Sequence, residues 1–123
     1  MKDENRSSGD LRDRTKQFAL KIIHFYALLP PKNHEAQIIG RQLLRSGTSA
    51  GANYREAWRA KSDADFVSKM EGGLQELDET GYWLEILGDA DIVTAQRLKP
   101  LLNEAEELIA IFVTMVKKVK NKR

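Results

Sequence analysis

Few side chains in this 123-residue chain stand at spacings that could carry chemistry. Gly47, Thr48, Ser49, Ala50 and Gly51 spell G-x-S-x-G, the pattern of a hydrolase nucleophile elbow. An elbow requires a strand-to-helix turn that exposes the serine, and the residues before Gly47 have helical periodicity. His24 and His34 are the two histidines, and neither stands in a triad context. The segment also lacks the G-K-[ST] of a phosphate loop. Glu-x-x-His, the pair a di-metal bundle needs, does not occur, and there are no cysteines. The sequence therefore predicts no catalytic residue, no metal ligand and no cofactor.

Polar residues at helical steps are more informative. Arg45, Ser49, Asn53 and Glu56 follow one another at three- and four-residue spacing, as do Glu76 and Glu79 with Trp83. An arginine between helices needs a carboxylate, because an unpaired buried charge is costly. Arg45 is expected to pair with Glu76 or Glu79, either as a register pin or as part of a binding site. Tyr54, Trp58, Tyr82 and Trp83 are candidate interface residues, or caps on the end of the core. Lys117, Lys118, Lys120, Lys122 and Arg123 form a basic run that suits phosphate contact or a helix C-terminus. Removing those five charges from the net +2 leaves −3 over residues 1–116, so the body is not basic.

These residues need helices to position them. Residues 1–10 are polar and aperiodic, and read as a disordered segment. Leu11, Thr15, Phe18, Ile22, Phe25 and Leu29 then mark one apolar face, which Pro30 and Pro31 end. A second helix begins after the N-cap Asn33. Ala36, Ile39, Leu43, Ser46, Ala50, Asn53, Ala57 and Ala60 carry its stripe in phase through the loop-like SGTSAG segment, which predicts one continuous helix. Ser62 opens a third helix with Asp65 at N3. Phe66, Met70, Gly73, Leu77, Thr80, Leu84 and Leu87 form its stripe, and Gly88 is its expected stop. A fourth helix starts around Thr94, or at Pro100 as N1 after a preliminary turn. Leu98, Leu102, Ala105, Ile109, Phe112, Val116 and Val119 mark its face.

The pattern predicts an all-α fold, an antiparallel up-down-up-down four-helix bundle over residues 11–119, with a basic tail at 120–123. No window is long and apolar enough for a transmembrane helix, and the N-terminus lacks a signal-peptide core. A cytoplasmic location without membrane partners is expected.

The stretches QLLRSGTSAGANYREA at 42–57 and SDADFVSKMEGGLQELDETGYWLEIL at 62–87 resemble the bacterial four helix bundle proteins, also known as the 23S rRNA intervening-sequence protein family. The resemblance covers roughly residues 11–119. It implies a bundle that assembles as a homo-oligomer, typically a ring-like pentamer, and it assigns no catalytic role. Arg45, Ser49, Asn53, Glu56 and Glu76 fall where the family pattern is polar. A similar branch comprises the accessory variability proteins of diversity-generating retroelements, which bind nucleic acid and partner a reverse transcriptase. Those are basic over the body, whereas this body is not. Two roles follow as expectations. One is a non-enzymatic, self-assembling interaction module. The other is a nucleic-acid-binding accessory protein that partners rRNA or a nucleic-acid-processing protein.

Overall fold

In the computed structural model, residues 11–122 are described in full and residues 2–10 by their backbone. The expectation for residues 1–10 concerns a part whose side chains lie outside that description, as does Arg123. Four helices follow in order: α1 (Lys2–Ala27), α2 (His34–Trp58), α3 (Asp63–Asp89) and α4 (Ala95–Lys120). No strand occurs among the described residues. Each helix packs on its sequence neighbour, α2 with α3 most extensively, and α1 closes the ring weakly against α4.

Local chemistry sets the helix ends. Asn33 Oδ1 accepts from the Ala36 amide at 3.0 Å, and Ser62 Oγ accepts from the Asp65 amide at 3.0 Å. Thr94 Oγ1 accepts from the Arg97 amide at 3.3 Å. Each cap satisfies one of the amides that a helix start leaves open. α4 therefore starts before Pro100, which lies inside it. Its missing N–H forfeits one helical bond, yet the helix continues.

The end of α3 differs from expectation. Gly88 is still helical, and the left-handed residue is Asp91, with φ of 59°. The Asp91 amide donates to the Gly88 carbonyl at 3.0 Å, and the Ile92 amide donates to Leu87 at 3.0 Å. That is the paired closure of a Schellman motif, with Ile92 folding back onto the core beside Leu87. Gly88 serves another purpose. A Cβ there would sit 2.6 Å from Leu98 Cδ1, so its bare backbone lets α4 approach.

The α1 and α3 stripes are buried as read, except that Phe66 is only half-buried. In α4 the inward face includes Leu101 and Leu108, while Leu102, Ile109 and Val119 lie at its flank. The buried face runs through Leu98, Leu101, Ala105, Leu108, Phe112 and Val116 at three- and four-residue steps, which leaves Leu102 and Ile109 one residue off its centre. In α2, Tyr54 is buried, whereas Ile39 and Asn53 are half-buried. The small residues of α2 set its distances to α1. Cβ atoms at Gly40 and Gly47 would stand 2.6 Å from Leu29 and 2.8 Å from Ile22.

Space decides what alanine does at two α3 glycines. A Cβ at Gly73 would meet the ring of Phe112 at 2.7 Å, and that ring is wholly buried. Gly81 has no neighbouring atom within 4 Å of that position. Gly81→Ala should gain the helix-propensity difference of about 1 kcal/mol and raise Tm by roughly 4 °C. Gly73→Ala should lose stability despite the same propensity gain, because overpacking costs about 1–3 kcal/mol. Thermal unfolding of the two variants checks the opposite signs. Asp91→Gly should also stabilise, by roughly 1 kcal/mol, because glycine adopts positive φ without the Cβ penalty.

Candidate functional site

The seam between α2 and α3 holds the densest polar contacts. At its centre lies a buried hydroxyl pair. Thr80 Oγ1 stands 2.9 Å from Ser46 Oγ and 2.7 Å from the Glu76 carbonyl, and Ser46 Oγ stands 3.3 Å from the Leu43 carbonyl. Each hydroxyl has one proton to donate. The chain therefore runs either from Ser46 through Thr80 to the Glu76 carbonyl, or from Thr80 through Ser46 to the Leu43 carbonyl. Either way the pair fixes the register of α2 on α3 from inside the core. Both residues were legible only as members of apolar stripes, since a small hydroxyl in a stripe reads as a spacer.

Above this pair, on the surface, Arg45 reaches across the seam. Its guanidinium lies 3.5 Å from Glu76 and 2.5 Å from Glu79. Trp83 Nε1–H donates to the same Glu79 oxygen at 3.0 Å. That bond, with Arg45 alongside, holds the Glu79 carboxyl below the usual carboxylate range, against a smaller opposing effect of burial. Arg45 itself is half-exposed, so the group is a surface network.

The other polar residues of α2 do not join it. Ser49 Oγ donates to the carbonyl of Arg45 in its own helix at 2.6 Å. Asn53 packs over Gly72, where a Cβ would meet its Oδ1 at 3.4 Å. Glu56 pairs with Lys69 about three turns beyond Arg45, at 3.3 Å. The six-residue cluster read from spacing is thus an ion-pair group, a separate ion pair, a serine bonded within its own helix and an asparagine packed over Gly72. Helical spacing places residues on a face, but it does not say how far each side chain reaches.

The aromatic candidates also divide. Tyr54 is 1% exposed and packs on Phe112, ring centroids 5.7 Å apart, so it belongs to the core and presents no interface. It lies four residues past buried Ala50 and three before buried Ala57, on the inward face of α2. Trp58 is 45% exposed and lies under the Arg12 guanidinium, 4.1 Å from its ring centre. Tyr82 is 54% exposed and meets half-buried Trp83 edge-on.

The basic run is mostly helix. Lys117, Lys118 and Lys120 form the last turn of α4, where they complement the helix dipole. Lys120 and Lys122 lie 3.1 Å from Glu71 and 3.5 Å from Asp63 on α3. Two of the candidate phosphate contacts are therefore engaged with acids of their own chain.

Ser49 sits in the middle of an unbroken helix and not at the strand-to-helix turn that an elbow requires. His24 and His34 are exposed on different elements. Among the described residues no group of three or more acidic or histidine side chains could hold a metal, and no helix is long and apolar enough to cross a membrane.

The weak α1–α4 seam has one strong tie that spacing did not reveal. Arg14 makes a bidentate pair with Glu104, at 2.7 and 2.9 Å, and contacts Glu107 at 2.6 Å. Arg14→Met should therefore cost about 1 kcal/mol in denaturant unfolding, more than a typical exposed pair, because fork geometry and two acceptors are lost together. Glu79→Gln should cost less. Its folded carboxyl titrates below the unfolded one, so its contribution is present above about pH 4.5 and fades as pH falls through the folded value. The gap in stability between wild type and Glu79→Gln should narrow from pH 7 to about pH 3.

The bundle has known counterparts. The family model described as 23S rRNA-intervening sequence protein matches residues 10–114. A solved structure from Bacteroides thetaiotaomicron VPI-5482, described as a protein of unknown function from the S23 ribosomal protein family, superposes with a TM-score of 0.81. It is 34% identical, and the alignment covers 89% of this chain and 97% of that one. A search of curated proteins finds no match. The match reaches into all four helices of the bundle, and this chain belongs to the 23S rRNA-intervening sequence protein family.

Proposed function

We propose that this protein is a non-enzymatic, self-assembling helical module that works through protein interaction. The observation that carries the reading is an apolar strip on the outer α2–α3 seam. Ile38 lies seven residues before Arg45, and Ile86 lies seven after Glu79. Because the helices run antiparallel, both isoleucines stand two turns from the Arg45–Glu79 pair in the same direction. Ile38 is exposed, and Tyr82 and Trp83 fill the turn between. An aromatic and aliphatic strip beside an arginine has the composition of an interface core. Exposed Leu20 and Ile23 on α1, with Leu28 just past its end, supply further apolar surface on another side of the bundle. Two distinct sticky faces suit head-to-tail contacts, which close into rings. The family resemblance supports a ring of five.

Light scattering on the purified protein tests this. A pentamer has five times the 14.0 kDa mass of one chain. Ile38→Glu with Tyr82→Glu should reduce the species to single chains while leaving the helical content unchanged, since both side chains face solvent. A wild-type protein that runs as a monomer at high concentration would sink the proposal.

A further inference from the structure

A surface depression lies away from the strip just described, between α1 and α2. It encloses about 440 Å³. Arg12 and Lys16 wall it on α1 and Arg55 on α2, with Ala19, Gly51 and Ala52 as its small floor. Antiparallel packing brings Thr15 against Gly51, which sets Arg12 across from Arg55. Arg59, one turn beyond Arg55 at the C-cap, extends the same edge. Among the described residues none of these four cations lies within ion-pair distance of a carboxylate. The one acid at the rim, Glu56, is engaged by Lys69 of α3.

Like charges gathered without a counterion repel one another, and an anion in the groove would relieve that repulsion. We infer that this groove binds the phosphate backbone of a single-stranded nucleic acid. Three features favour a strand over a compact anion. The cations are strung along the groove. Arg12 to Lys16 is one helical step of about 6 Å, and so is Arg55 to Arg59. The floor of small residues leaves room for a chain to lie between the walls. Trp58, just outside the groove's lining, carries Arg12 over one face of its ring and keeps nearly half its surface free, so a base can stack on it at that end. The groove's lining includes no residue of α4, and binding there does not depend on self-assembly.

The test is fluorescence anisotropy with a labelled single-stranded RNA of about a dozen nucleotides, titrated from low to high salt. Wild type should bind at about 50 mM salt and release the strand as salt rises. Lys16→Ala with Arg55→Ala should weaken binding about tenfold and reduce the log–log salt slope by about 1.4, or 0.7 for each cation lost. Both side chains face the groove and solvent, so the melting curve should stay close to wild type. Lys21→Ala with Lys99→Ala removes the same charge elsewhere and should leave affinity within about twofold. Deleting residues 117–123 should do the same. The inference is overturned if wild type binds no RNA at low salt. It is also overturned if the groove variant binds like wild type, or if the off-groove or tail variant loses as much.

Discussion

The bundle depends on how closely α2 can be approached from both sides. Its glycines at 40 and 47 leave no room for a side chain beneath Leu29 and Ile22 of α1. On the other flank, Ser46, Ala50 and Ala57 let α3 settle close enough for the Thr80 and Ser46 hydroxyls to meet. Three glycines in a helix cost roughly 1 kcal/mol each in propensity. Close packing on both flanks, with its dispersion contacts, offsets that cost. The helix survives because its neighbours need it thin.

Polarity along the α2–α3 seam is layered by depth. The buried hydroxyl pair has its hydrogen bonds satisfied within the two helices, so it sets register without placing a charge in the core. The Arg45, Glu76 and Glu79 group sits above it in partial contact with water, where ion pairs are weak but directional. Trp83 joins the layers, packing its ring on the core and giving its N–H to Glu79. Such an arrangement fixes which residues face outward on this seam. The same geometry therefore presents Ile38 and Tyr82 at the surface.

The two surfaces argued to bind partners differ in kind. The α2–α3 strip is apolar and aromatic, the chemistry of protein association. The α1–α2 groove is cationic over a floor of small residues, the chemistry of phosphate recognition. They lie on different sides of α2, so occupancy of one leaves the other open. A chain whose body carries slight net negative charge can still gather cations locally, because the acids are spent elsewhere. Glu104 and Glu107 are held by Arg14, and Glu56 by Lys69.

Hydrophobic period, caps and breakers were enough to read four helices, the unbroken α2 and three of the N-caps, because these depend on neighbours within one turn. The pairing of Arg45 with the α3 glutamates was also legible, since an arginine at a helix flank has few acceptable partners. What the sequence did not contain was the rotation of each helix and the reach of each side chain. Tyr54 turned inward, Leu101 and Leu108 replaced their neighbours in the core, and Asp91 rather than Gly88 took the left-handed position. Arg14 and the α1–α2 groove join residues about 40 to 90 positions apart. Only packing decides such meetings, because each one depends on the relative placement of whole helices rather than on any local preference.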